Sequence, residues 1–133
     1  MTAINRILIV DDEDNVRRML ATAFSLLGHE THCASNGQAA LNLFSDTRPD
    51  VVVMDIRMPE MDGVECAQEL AKLKHPPAVI FVTAYDHYAI AALKANAIGY
   101  LLKPANKDEL LEALKKATNL NAAQLNEIRK LEN

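Results

Sequence analysis

Short, uninterrupted apolar runs constrain this chain more than any other feature. They occupy residues 7–10, 51–54, 78–82 and 100–102. Runs of this length without polar alternation are typical of strands that are buried on both faces, as the strands of parallel sheets are. Between the runs, apolar residues recur at helical spacing. The pattern therefore predicts buried strands that alternate with helices.

The order of these segments predicts the fold. In the first helix the apolar residues expected to face inward are Val16, Met19, Leu20, Ala23, Phe24 and Leu27. A further short strand is predicted at residues 30–34, and later helices are predicted to follow Asn36, Gly63 and Thr83 and to include Leu110. Five strand–helix units with short connections predict an α/β fold. We expect a five-stranded parallel sheet, doubly wound in the flavodoxin-like order, with helices on both faces.

The length of 133 residues favours one domain with a short extension. We place the domain at residues 1–118 and a helical extension or linker stub at residues 119–133. In the extension, Leu120, Leu125, Ile128 and Leu131 are separated by charged and polar residues. Two interpretations remain open for it, a dimer stem and a linker toward an output domain that is absent from this chain.

Composition excludes several classes of function. The net charge of −4 argues against a general nucleic-acid surface, which needs a clustered basic face. No signal peptide is recognisable and no apolar run is long enough to cross a membrane, so we expect a cytoplasmic protein without membrane contact. Cys33 and Cys66 lack metal-ligand spacing and are expected to be buried reduced thiols. The four histidines are scattered and are expected to be surface or satisfied residues.

Polar residues stand where the apolar runs stop. The pair Asp11-Asp12 follows the first run, Asp55 follows residues 51–54, Thr83 follows residues 78–82, and Lys103 follows residues 100–102. Because the carboxyl ends of parallel strands meet at one edge, we expect these side chains to converge there. The sequence predicts a site for a divalent cation and a phosphoryl group.

The residue types suit that chemistry. Three carboxylates at close range repel one another, and a hard cation such as Mg²⁺ removes the conflict. The backbone carbonyl of Arg57 is a further candidate ligand. Asp55 can then act as a nucleophile on phosphorus, with Lys103 as a point cation and Thr83 as a hydroxyl donor to the same phosphoryl group.

Each of these residues also has a simpler interpretation. Asp12 or Asp14 would cap the first helix, Asp55 would be a turn residue, Thr83 would cap the helix that follows it, and Lys103 would be a solvated loop lysine. The joint occurrence of such residues at successive strand ends favours a site over all of these interpretations.

The motifs resemble response-regulator receiver domains of bacterial two-component signalling over roughly residues 5–118. The resemblance rests on residues 8–13, on residues 55–63 (DIRMPEMDG), on Thr83-Ala84 and on Lys103-Pro104. It implies that Asp55 is the phosphoacceptor, that Asp12 binds Mg²⁺ directly, and that Asp11 acts through a metal-bound water. It also implies switch roles for Thr83 and Tyr100.

The same resemblance implies partners. A sensor histidine kinase would donate the phosphoryl group, and a homodimer would form through the fourth helix, the fifth strand and the fifth helix. The domain would not be an enzyme, because it would catalyse only its own phosphorylation and slow dephosphorylation. Direct nucleic-acid binding by this chain is not expected.

The two parts of the chain resemble different receivers. Residues 1 to about 70 are similar to NtrC-type receivers, such as the regulator of acetoacetate metabolism, whereas residues from about Pro76 are similar to the LytR/AlgR type. Two explanations remain open for this difference. One is ordinary divergence within the family, and the other is a recombinant of two receivers joined near residues 70–76.

Two other functions are alternatives to a receiver domain. A haloacid-dehalogenase-type phosphohydrolase also uses Mg²⁺ and an aspartate nucleophile, but it requires a second carboxylate at the position of Arg57. A phosphorylation-independent interaction module would need none of the chemistry.

Overall fold

The computed structural model describes residues 5–117. Five parallel strands form one sheet in the order β2-β1-β3-β4-β5. The strands are β1 Arg6–Val10, β2 Glu30–Ala34, β3 Val51–Met54, β4 Ala78–Thr83 and β5 Gly99–Leu102. The helices are α1 Asp14–Leu26, α2 Gly37–Thr47, α3 Gly63–Ala71 and α4 Ala89–Lys94, and a fifth, α5, covers residues 107–117. This topology confirms the predicted five-stranded, flavodoxin-like fold.

Two apolar clusters lie on opposite faces of the sheet. Successive strand residues point to opposite sides, so Leu8 and Val10 join one cluster while Ile7 and Ile9 join the other. The first cluster contains buried residues of α2, α3 and α4, and the second contains those of α1 and α5. Burial of the strands on both faces explains why their sequences are continuous apolar runs.

Side-chain caps fix the start of two helices near the carboxyl edge of the sheet. The Asn36 side chain accepts a hydrogen bond from Ala39 N at 2.8 Å and begins α2, and the Asp62 side chain accepts one from Glu65 N at 2.8 Å and begins α3. The glycine that follows each cap opens its helix. Gly63 N also donates to Ile56 O at 2.7 Å, which holds the loop between β3 and α3 at the end of β3.

Two expectations about burial were partly wrong. Met19 and Leu27 of the expected inner face of α1 are 54% and 40% exposed, because the outer part of α1 borders an open apolar groove against α5. Cys33 is exposed on the edge strand β2, whereas Cys66 is buried in α3 as expected.

The predicted extension at residues 119–133 lies outside the described residues. Within residues 5–117, no helix is long and apolar enough to cross a membrane.

Candidate metal and phosphoryl site

Asp11 is held at each of its polar atoms. It follows β1, is 2% exposed, and its backbone N–H donates to the carbonyl of Ala34 on β2. Its Oδ1 accepts a hydrogen bond from Glu13 N at 2.9 Å, and its Oδ2 lies 2.8 Å from Lys103 Nζ. Its carbonyl accepts from Arg17 Nη1 at 2.6 Å. The end of β1 therefore presents a carboxylate of fixed orientation.

Asp55 occupies the equivalent position after the neighbouring strand β3. Its backbone N–H donates to Val10 O at 2.9 Å, which continues the pairing of β1 and β3 by one residue. Its Oδ1 accepts from Ile56 N at 2.7 Å, and only 6% of the residue is exposed. A carboxylate buried to this extent requires a cation or several hydrogen bonds.

Lys103 supplies that cation. Its backbone N–H donates to Thr83 O at 2.8 Å, which extends the pairing of β4 and β5 and directs the side chain along the carboxyl edge. Its Nζ lies 3.0 Å from Asp55 Oδ2 and 3.3 Å from Glu13 Oε1, in addition to its contact with Asp11. The side chain is only 16% exposed. The interpretation of Lys103 as a solvated loop lysine is wrong.

Burial and charge shift the protonation of this cluster. Burial raises the pKa of the Asp11 carboxyl, and the hydrogen bonds from Lys103 and from Glu13 N oppose the rise. Burial alone would lower the pKa of the Lys103 ammonium. The hydrogen bonds and charges of Asp11 and Asp55 outweigh that effect and raise the pKa above its ordinary range. Lys103 is therefore a permanent cation between two buried carboxylates.

Four carboxylates can reach a common point at this edge. Asp11, Asp12, Glu13 and Asp55 each offer an oxygen within 4.8 Å of the others. Asp12 and Glu13 are exposed, and the other two are buried. Carboxylate oxygens are the ligands that Mg²⁺ prefers, so the donor set fits this ion. Glu13 was not singled out from the sequence, although its place directly after the acidic pair was a usable signal.

The helix caps that were the simpler alternatives for these residues are not formed. The N-cap residue of α1 is Glu13, with no side-chain hydrogen bond, and the N-cap residue of α4 is Tyr88. Asp12, Asp14 and Thr83 therefore do not cap these helices. The interpretation of these residues as helix caps is wrong.

Thr83 ends β4, and Tyr100 lies on the neighbouring strand β5. Thr83 is completely buried, and its hydroxyl accepts a hydrogen bond from Tyr85 N at 3.4 Å. The Tyr100 hydroxyl donates to the carbonyl of Tyr85 and accepts from Tyr88 N at 3.3 Å. Both side chains thus hold the loop between β4 and α4.

Arg57 contacts the same loop. Its exposed side chain places the guanidinium carbon 4.7 Å from the centre of the Tyr85 ring, which is a cation–π contact. The role of its backbone carbonyl as a metal ligand stays a prediction.

Comparison with known proteins agrees with this architecture. The family model of the response regulator receiver domain matches residues 7–115. The chain is 55% identical over 133 residues to regulatory protein AtoC of Escherichia coli, covering 98% of this chain and 29% of AtoC. It is 47% identical over 122 residues to the positive alginate biosynthesis regulatory protein of Pseudomonas aeruginosa, covering 90% of this chain and 49% of that protein. The chain thus spans half or less of the length of these relatives.

A solved structure is similar as well. Response regulator protein TrrA of Thermotoga maritima, in complex with Mg²⁺–BeF, is 40% identical with a TM-score of 0.78, covering 86% of this chain and 99% of that one. Both kinds of relative expected from the motifs are confirmed, whereas the junction near residues 70–76 stays a hypothesis. The family match, the fold and the four carboxylates at the carboxyl edge of the sheet agree. The chain belongs to the family of response regulator receiver domains.

Proposed function

We propose that the domain accepts a phosphoryl group on Asp55 from a sensor histidine kinase and that this modification changes a surface read by a partner. The observation that carries the proposal is the buried pair of carboxylates, Asp11 and Asp55, joined by Lys103 Nζ at 2.8 and 3.0 Å. A buried nucleophile with an adjacent fixed cation is the arrangement that phosphoryl transfer requires.

The transfer is a displacement at phosphorus. A carboxylate oxygen of Asp55 forms the new P–O bond while the P–N bond to the donor imidazole breaks, and the imidazole keeps the electron pair. Lys103 stays beside the Asp55 carboxylate and compensates the charge of the incoming group. Ile56 N holds Oδ1, so the nucleophile enters the reaction already oriented.

Mg²⁺ is the cofactor that the residues fit. We propose Asp12 as a direct ligand, with Asp55 and the carbonyl of Arg57, and Asp11 as a ligand through water. When bound, the ion would neutralise charge on the phosphoryl oxygens and relieve the repulsion among the carboxylates. The cluster of four carboxylates supports this assignment.

The switch is proposed to run from Thr83 to Tyr100. Thr83 would exchange its bond with Tyr85 N for one to the phosphoryl group, and the hydrogen bonds from Tyr100 to the same loop would carry the change outward. Nearby, Ile90 and Leu93 of α4 are each 71% exposed, and Leu102 of β5 is 46% exposed. These exposed apolar side chains support a homodimer through α4, β5 and α5.

Family membership supports a proposal about partners and location. We propose a cytoplasmic domain that works with a histidine kinase. We also propose that it regulates an output domain, as part of a longer protein like its relatives. Its own catalysis is limited to phosphorylation of Asp55 and slow dephosphorylation.

Intact-mass analysis with acetyl phosphate tests the proposal. With Mg²⁺ the wild-type domain should gain the mass of one phosphoryl group, and Asp55→Asn, a nearly isosteric control, should gain none. Omission of Mg²⁺ should abolish the gain. If the mass is unchanged in the wild type, the domain is a phosphorylation-independent module. If a generic phosphate ester is hydrolysed over many turnovers, it is a phosphohydrolase instead.

A further inference from the structure

Arg17 contacts the acidic loop, which consists of residues 11–13 between β1 and α1. It lies on the first turns of α1 and its side chain is only 18% exposed. Nη1 donates to the carbonyl oxygen of Asp11 at 2.6 Å, and Nη2 forms an ion pair with the Asp14 carboxylate. The guanidinium therefore bridges the end of β1 and the start of α1.

The carbonyl that Arg17 holds belongs to the peptide joining Asp11 to Asp12. A peptide group is planar, so fixing its oxygen also fixes the direction in which the chain continues to Asp12. Asp11 already has its N–H bonded to β2 and its carboxylate bonded to Glu13 N and Lys103. Arg17 adds a bond to the peptide group that links the two acidic residues.

Asp14 keeps the guanidinium in this position. Its side chain is 75% exposed, so the ion pair itself adds little to stability. The Asp14 carboxylate does bind Nη2 of the planar guanidinium, which leaves Nη1 directed at the carbonyl oxygen of Asp11. Arg17 thus contacts the backbone of the acidic loop, while its charge is paired outside the carboxylate cluster.

We propose that Arg17 is a positioning residue for the metal site: it fixes the peptide between Asp11 and Asp12 and thereby raises the affinity of the acidic cluster for Mg²⁺. This inference rests on the proposed function of the cluster. Groups that orient metal ligands without touching the metal typically contribute 10- to 100-fold to affinity. The expected role is therefore in Mg²⁺ binding and not in the transfer step.

The sign of the effect separates this role from simple electrostatics. Removing a cation near a Mg²⁺ site should strengthen Mg²⁺ binding through the Coulomb term. Loss of positioning should weaken it. Arg18 is the matched control because it is adjacent, exposed and equally charged.

Isothermal titration with Mg²⁺ is the test. For Arg17→Ala we expect Mg²⁺ binding about tenfold weaker or more, whereas Arg18→Ala should bind as tightly as the wild type or slightly more tightly. Phosphorylation of Arg17→Ala by acetyl phosphate should need correspondingly more Mg²⁺ for half its maximal rate, and should reach the wild-type rate at saturation. Arg17→Lys, which keeps one donor, should fall between these variants and serves if Arg17→Ala does not fold.

Several results would overturn the inference. Equal Mg²⁺ affinity of the Arg17 and Arg18 variants would exclude positioning while leaving the proposed function intact. A loss of phosphorylation that saturating Mg²⁺ does not restore would assign Arg17 to the transfer step instead. If the wild type itself binds no Mg²⁺ and gains no phosphoryl group, the proposed function fails, and this inference fails with it.

Discussion

Gly63→Ala adds one methyl group directly against the backbone of Asp55. Gly63 opens α3, and its N–H donates to Ile56 O at 2.7 Å. A Cβ at this position would lie 2.2 Å from Asp55 O, 2.9 Å from Ile56 Cα and 3.0 Å from Asp55 C. All three neighbours are backbone atoms, so no side chain can rotate away.

The structure sets the size of the effect. The contact with Asp55 O must lengthen by about 1 Å or more to reach an ordinary separation. Asp55 cannot retreat easily because its N–H is bonded to Val10 O on β1. Overpacking of this kind costs about 1–3 kcal/mol, and the better helix propensity of alanine recovers at most about 1 kcal/mol. A displacement of about 1 Å at a nucleophile can reduce its rate about 100-fold.

Gly37→Ala is the matched control. Gly37 also opens a helix directly after a side-chain cap, but the three atoms nearest to a Cβ there belong to the Met61 side chain, at 2.9 Å (Sδ), 3.1 Å (Cγ) and 3.3 Å (Cβ). The methionine side chain can move. Urea unfolding and the initial rate of phosphorylation by acetyl phosphate should both be impaired in Gly63→Ala and nearly unchanged in Gly37→Ala. Equal stability and rate in the two variants would refute the packing argument.

Three further predictions concern charge, pH and backbone geometry. Lys103→Met removes the cation between Asp11 and Asp55, so thermal unfolding should show a larger Mg²⁺-dependent rise in Tm than in the wild type; an equal rise would contradict this. Burial lowers the pKa of His29, whose Nδ1 accepts a hydrogen bond from Asn5 N, so the neutral form is favoured in the folded state. This contribution to the free energy of unfolding is present above about pH 6.5 and is lost as the pH falls through the folded-state pKa. As the pH falls, the free energy of unfolding measured with urea should therefore decline more in the wild type than in His29→Asn, and equal declines would contradict this. Arg48 directly follows α2 as its C-cap and has a φ of 45°, a left-handed conformation that favours glycine. Arg48→Gly should therefore raise the free energy of unfolding by about 0.5–1 kcal/mol, and an unchanged urea midpoint would contradict the strain argument.

The landmarks of the site were predictable because strand ends fix position. Asp55 and Lys103 directly follow apolar runs, and a parallel sheet brings such residues to one edge whatever the details of the helices. The structure places Lys103 Nζ 3.0 Å from Asp55 Oδ2 across 48 residues of sequence. The role of Asp12 as a direct metal ligand comes from the resemblance, whereas the carbonyl of Arg57 is a candidate ligand because it lies two residues after Asp55.

Residues that act through backbone atoms were missed for a physical reason. Gly63 matters because a Cβ would meet Asp55 O, and Arg17 matters because it reaches the carbonyl of Asp11. Neither contact follows from hydrophobic spacing, which reports only the buried face of a helix. The exposure of Met19 has a similar origin, since spacing does not tell how far the neighbouring helix covers that face.

Chemical mapping of the phosphoryl group tests the central claim most directly. Borohydride reduces an aspartyl phosphate to homoserine, and peptide mass spectrometry then locates the changed residue. After treatment with acetyl phosphate and Mg²⁺, we predict homoserine at Asp55 alone. Homoserine at Asp11 or Asp12, a phosphoryl group on another residue type, or an unmodified Asp55 would contradict the account.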